Sequence, residues 1–230
     1  MIKIVVSSFY NTLINYEEAI DTSTMLEIDR IRNKGILFTI LTNRGYKEVL
    51  DYNKDFPFID YIISLNGSYV YDVLNKKCIY KQKISKLDVK KIYNSFRRSK
   101  IYYYTENKVL TNYNETLDKD IYKMEIEDIN DITIDNNNCL YTTFIKDNKK
   151  YLEIISNKCN SYKALSIILD KNNIKDSEVT TIIGNESDIS LKNIKETYVV
   201  ENSKCKLKDI KKITKSNNEK GVELVLQKIK

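Results

Sequence analysis

The chain contains no histidine. That absence excludes Ser-His and Cys-His nucleophile activation, and it excludes the usual His-containing zinc sites. Any catalysis must rest on carboxylates, Lys, Tyr, hydroxyls or thiols. Proline occurs once and glycine five times, so tight turns must lean on Asn and Asp, which tolerate left-handed backbone angles. Cys78, Cys139, Cys159 and Cys205 lie far apart, with no pair at metal-ligand or redox spacing. They read as reduced, structural thiols, which points to a cytoplasmic protein. No apolar run approaches the length of a membrane span, and the apolar stretch at the N-terminus is too short for a signal peptide.

What is present suits an ordinary globular core. The 230 residues are 42% hydrophobic and 30% charged, enough for one large domain or for a core with a smaller insert. The formal charge is +6, from 38 basic and 32 acidic side chains. No basic stripe is interleaved with aromatics, so nucleic acid is not an expected partner. Abundant Lys, Asn, Ile and Tyr all have A/T-rich codons, which accounts for the charge balance without an anionic partner.

Residues 2–6 form an apolar run typical of a buried parallel strand, followed by a polar turn over 7–12. Met25, Ile28 and Ile31 place an apolar stripe on a helix over 23–33, with Asp21, Thr22 and Ser23 as capping candidates and Gly35 at its end. A strand over 36–41 ends at Thr42-Asn43-Arg44, a helix covers 46–53, and a strand over 61–65 ends at Asn66-Gly67. Strands alternating with helices at this spacing predict a parallel sheet, with ligands beyond the carboxyl ends of its strands. A hairpin is expected over 68–80. Then a helix over 87–98 and strands over 101–104, 121–126, 140–145 and 151–155, with Asn- and Asp-rich turns, read as an antiparallel α+β insert. The first pattern returns with a helix over 162–172, strands over 179–183, 198–200 and 211–214, and a terminal helix over 221–230. The predicted division is an α/β core of residues 1–80 and 157–230, split around an inserted module of residues 81–156.

These residues resemble the haloacid dehalogenase superfamily, in its Cof-type sugar-phosphatase-like branch (subfamily IIB). The run Val6-Ser7-Ser8-Phe9-Tyr10-Asn11-Thr12-Leu13 resembles the first motif, Thr42-Asn43-Arg44 the second, and Ser161-Tyr162-Lys163-Ala164-Leu165 the third. Gly184-Asn185-Glu186-Ser187-Asp188 resembles the fourth, one residue shorter. Asn66-Gly67 and the run from Thr214 through Ser216-Asn217 to Gly221-Val222 also match the branch. The resemblance implies a Rossmann-like parallel-sheet core with an inserted cap. It implies a Mg²⁺-dependent phosphoric-monoester hydrolase, the cap choosing the substrate. The insert is short for a C2B-type cap, and an expected helix is missing from it.

The resemblance also assigns roles, and this chain departs from most of them. Ser8 stands where the nucleophilic Asp should be, and Tyr10 where the acid/base Asp should be. Ser161 stands where the phosphate-neutralising Lys should be, with Lys158 or Lys163 as substitutes only through a shift. Asn185 stands at a metal position, leaving Asp188, with Glu186 nearby, as the remaining metal candidates. A serine hydroxyl needs a base, and tyrosine's reference pKa of about 10 is far from the value that suits acid/base work. Mg²⁺ usually needs well-placed carboxylates, so no tightly bound cofactor is expected. Thr42, Asn43 and Arg44 are the candidate phosphate-binding residues, at a helix N-terminus that favours anions.

Plainer readings stand beside these. Thr42 caps the following helix and Arg44 is solvated. Asp188 is an N-cap or surface carboxylate for residues 189–194. Tyr102-Tyr103-Tyr104 packs two aromatics on one strand face and leaves one outside. The lysines from 204 to 215 form a solvated face. The expected function is a catalytically impaired pseudo-phosphatase that keeps a ligand-binding or regulatory role, with a small phosphorylated metabolite as the candidate ligand. The alternatives are a weakly active Mg²⁺-dependent phosphatase on small sugar or nucleotide phosphates, and an interaction module using the cap surface.

Overall fold

The structure is a computed structural model that describes residues 1–54, 57–129, 137–203, 210 and 212–230. Two sheets organise it. The first has eight strands in the order β13-β12-β11-β1-β2-β3-β4-β5. These are β1 (Ile4–Ser8), β2 (Leu37–Leu41), β3 (Tyr61–Ser64), β4 (Tyr69–Asp72), β5 (Lys77–Lys81), β11 (Val179–Ile183), β12 (Glu196–Val200) and β13 (Lys212–Thr214). Six of them run parallel, and the β4–β5 hairpin adds an antiparallel edge. β1 sits between β2 and β11, where the strand order reverses, so a crevice opens at its carboxyl end.

Every residue of β1 is buried, because both faces of this sheet are covered. Val5, Phe38, Ile40 and Ile62 pack beneath α1 (Thr22–Arg32), α2 (Tyr46–Tyr52) and α5 (Gly221–Leu226). Ile4, Val6, Leu41 and Ile63 pack on Ala164, Leu165, Ile168 and Leu169 of α4 (Ser161–Asn172). The period-three stripe of α1 is real: Ile28 and Ile31 are fully buried and Leu26 is exposed. Asp21 holds the N-cap position without a side-chain cap bond, and the Ser23 hydroxyl instead donates to Glu223.

The second sheet is antiparallel, in the order β7-β6-β8-β10-β9, built from β6 (Ile101–Tyr104), β7 (Val109–Leu110), β8 (Lys123–Glu127), β9 (Cys139–Lys146) and β10 (Lys149–Ser156). Met124, Ile126, Leu152 and Ile154 point to one face, beneath Val89 and Ile92 of α3 (Lys86–Phe96). The Ser85 hydroxyl caps α3 by accepting from the Asp88 amide. α3 is the one α-helix of this module among the described residues, beside a 3₁₀ turn over Tyr113–Thr116.

Several sequence expectations move. β1 begins two residues late and ends on Ser8, so Ser8 is strand, and the tight turn covers Phe9–Leu13. α5 ends at Leu226 rather than residue 230, where the Arg30 guanidinium takes the carbonyls of Leu226 and Ile229. In the tyrosine run the single Tyr103 is the buried one, under α3, while Tyr102 and Tyr104 face the other way and donate to Glu127 and Glu125. The two-residue strand β7 carries too little pattern to be foreseen. Cys205 and most of the lysines from 204 to 215 lie outside the described residues.

The shortage of glycine has its expected consequence. Asn11, Asn66, Asp128, Asp147, Asn148 and Asn173 hold left-handed backbone, joined by Glu18, Leu65, Lys76 and Lys220. Gly67 is different. Its φ is +89°, and a Cβ there would lie 2.3 Å from the carbonyl carbon of Asn160. Gly67→Ala is therefore expected to lower stability by about 1–3 kcal/mol, read as a lower midpoint in urea.

Candidate functional site

The carboxyl ends of the parallel strands bring motif residues together from three parts of the chain. Ser8 ends β1, Ser161 opens α4, and Asp188 lies in the 3₁₀ segment Glu186–Leu191 after β11. The Ser8 hydroxyl donates to Asp188 Oδ2 at 2.6 Å, and the Ser161 hydroxyl donates to Asp188 Oδ1 at 3.1 Å. All three are sealed: Ser8 is 0%, Ser161 1% and Asp188 4% exposed. Asp188 is thus neither an N-cap nor a surface carboxylate. A buried carboxylate must find its donors inside the protein, and the two serines supply them.

Burial pushes the Asp188 carboxyl up to about 6 from its ordinary 3.8. The bonds from Ser8, Ser161 and Asn185 oppose that rise, and the charge of Glu153 adds to it.

The turn Phe9–Leu13 is clamped by the turns after β11 and β12, which are also bonded to each other. Asn185 donates to the Tyr10 carbonyl at 3.3 Å, Asn202 donates to the Asn11 carbonyl at 2.9 Å, and Ser203 donates to the Gly184 carbonyl at 2.9 Å. Asn185, at the family's metal position, therefore acts as a brace. Tyr10 points to the Arg44 guanidinium, which lies 4.0 Å from its ring centroid. Burial raises the Tyr10 phenol above its usual range, with Arg44 opposing, so the phenol stays protonated at neutral pH.

The segment 42–44 follows β2. Thr42 Oγ1 accepts from the Arg44 amide at 3.1 Å and so closes its own turn. The N-cap of α2 is Gly45, not Thr42. Arg44 is not simply solvated, since it stacks on Tyr10 and pairs with Glu48 at 3.3 Å. Asn43 turns to the second sheet, where its side chain donates to Glu153 at 3.4 Å. Among the described residues no hydrogen bond joins 42–44 to Ser8 or Asp188, and Arg44 meets the first-motif turn through Tyr10. Lys158 and Lys163 are exposed, and Lys163 Nζ donates to the Asn157 carbonyl, so neither fills the Ser161 position.

The donors do not fit Mg²⁺. Asp188 is the one carboxylate among Ser8, Ser161, Asn185 and itself, where Mg²⁺ usually takes one or two carboxylates with further oxygen ligands. Among the described residues no group of three Asp, Glu or Cys side chains is placed to hold a metal. The Glu186 side chain lies outside what is described.

Sequence reasoning missed one cluster. Lys123, fully buried, donates to the Asn43 carbonyl at 2.6 Å and to the carboxylates of Glu125 and Glu153. The only signal was the Lys123-Met124-Glu125-Ile126-Glu127 alternation, which reads equally well as a solvated strand face.

The family model for haloacid dehalogenase-like hydrolases matches residues 10–138. The chain belongs to that family. The match takes in the second motif and Asn66-Gly67, and it begins two residues after Ser8. A protein of Buchnera aphidicola subsp. Baizongia pistaciae named "Putative phosphatase" is 37% identical over 92 residues, which are 40% of this chain and 34% of that protein. The match spans about a third of that relative's length. The solved structure of a haloacid dehalogenase-like hydrolase from B. subtilis superposes with a TM-score of 0.88 over 100% of both chains, at 13% identity. One from Bacteroides thetaiotaomicron gives 0.82 over 100% of both chains at 17% identity. The crystal structure of a Thermotoga maritima protein gives 0.81 at 19% identity, covering 100% of this chain and 98% of that one. At these identities the structures share the fold. The Rossmann-like α/β architecture expected from the sequence is therefore the observed one, and no helix among the described residues is long and apolar enough to cross a membrane.

The raised carboxyl of Asp188 has a sign. Its folded pKa of about 6 exceeds the ordinary 3.8, so the folded state holds the proton more tightly. That contribution to stability is full below about pH 4 and is lost as pH rises through 6; two pKa units correspond to about 3 kcal/mol. In metal-free buffer, Asp188→Asn is expected to remove this loss, so the variant gains on the wild type in urea midpoint between pH 4 and pH 7.

Proposed function

We propose that this member of the hydrolase family is a pseudo-phosphatase: it keeps the fold and a ligand-binding or regulatory role, and phosphoryl transfer is impaired. The supporting observation is the 2.6 Å bond from Ser8 to Asp188. At the nucleophile's position stands an un-ionised hydroxyl, already spent as a donor to the site's carboxylate. Tyr10 is a protonated phenol stacked on Arg44, and Ser161 brings no charge. Phosphoryl transfer depends on positioned charge, and removing one stabilising group typically costs about 10²–10³ in rate. Several are absent together.

In this reading no cofactor binds tightly, and Mg²⁺ matters only if residual activity exists. The five-stranded module serves as a reduced cap over the core. The candidate ligand is a small phosphorylated metabolite held by the turn of Thr42, Asn43 and Arg44. Nucleic acid and membrane are not partners.

One observation favours a second reading, a weakly active phosphatase on small sugar or nucleotide phosphates. Asp188, with a carboxyl near 6 and a 2.6 Å bond to Ser8 Oγ, has the geometry of a general base for that hydroxyl. Turnover of an aryl phosphate with excess Mg²⁺ separates the two. The expected result is a rate equal to the blank for wild type and for Ser8→Ala. A rate above the blank that Ser8→Ala abolishes would establish the second reading. Inorganic phosphate is expected to raise the wild-type melting temperature and to leave Arg44→Ala unmoved, read by thermal unfolding.

A further inference from the structure

The buried cluster between the two sheets occupies none of the family's motif positions in the second sheet, yet it grips two of the motif turns in the first. Lys123 has three ammonium protons and three acceptors: the Asn43 carbonyl at 2.6 Å, Glu125 at 2.5 Å and Glu153 at 2.9 Å. Its Nζ also lies 4.3 Å from the centre of the Tyr104 ring. Glu153 is held from the first sheet as well, accepting from Asn66 at 3.0 Å and from Asn43 at 3.4 Å. Three polar contacts therefore cross from β8 and β10 to the turns after β2 and β3.

A fully dehydrated ammonium is tolerated only while every donor is matched. Burial works against the charge on Lys123, but Glu153 and Glu125 outweigh it and hold the amine protonated. Separation of the sheets would rehydrate three ionic groups at once. Closure also leaves Asn66 Oδ1 buried without a donor, a cost that the Lys123 contacts must offset.

We propose that Lys123 is a latch, an ammonium tethered to the second sheet that pins it on the Asn43 side of the Thr42-Asn43-Arg44 turn and keeps that side shut. Arg44 is exposed already, whereas access to the Asn43 side requires Lys123 and Glu153 to leave it together. The inference is independent of turnover, because it concerns opening and not chemistry.

Cys159 reports opening. It lies in the segment returning from β10 to α4, is 0% exposed, and its sulfur sits 3.3 Å from the Ser68 hydroxyl. Cys139, 6% exposed in β9, reports unfolding of the second sheet itself. Peptide-resolved alkylation by iodoacetamide under native conditions reads both. In Lys123→Met and in Glu153→Gln, Cys159 is expected to label at least tenfold faster than in wild type, with Cys139 unchanged. Wild-type labelling of Cys159 in either folded variant would overturn the latch. Should neither variant fold, the wild type decides: acylation of the Lys123 amine must keep pace with Cys159 alkylation and outrun Cys139. Cys159 labelling well ahead of Lys123, or all three labelling together, would overturn it equally.

Discussion

A buried carboxylate has to be hydrogen-bonded from within, and Asp188 is bonded by Ser8 and Ser161. That one carboxylate joins the end of β1, the start of α4 and the segment after β11, the three pieces that meet at the mouth of the sheet. An Asp at position 8 or a Lys at position 161 would each change its balance, the first by charge repulsion and the second by pairing. The serines leave one negative charge facing two neutral donors. Burial then drives its carboxyl upward to about 6.

Around this carboxylate the motif turns survive as structure. Asn185 and Asn202 clamp the first-motif turn through its carbonyls, and Thr42 closes its own turn. Gly67 lets the third turn pass against Asn160. The geometry at the mouth of the sheet is held by hydrogen bonds of neutral groups around one carboxylate. The main buried cation at this end of the molecule, Lys123, comes from the second sheet and is matched by two glutamates.

Much of the fold was legible because its signals are local. The apolar run of β1, the period-three stripe of α1 and the glycine that closes it each follow from burial or backbone sterics within a few residues. Boundaries slipped where tertiary contacts set them: α5 stops where Arg30 takes the carbonyl of its last residue, Leu226. The Tyr102-Tyr103-Tyr104 run misled because its alternation fixes two faces but not which one a helix covers. The side that looked like a packed pair is the side of Glu125 and Glu127, and the lone Tyr103 is core.

By itself the sequence determined the residue types at each motif position, and with them which groups can ionise near neutral pH. It also determined the strand–helix alternation that makes a parallel sheet, because periodicity is a property of neighbours along the chain. Only the tertiary structure decided what those groups meet. It brought Ser8 and Asp188, 180 positions apart, to 2.6 Å. It removed both from water, and it turned the polar side of β8 inward so that Lys123 met Asn43. Contacts of that kind depend on how the two sheets face each other. No spacing along one strand encodes it.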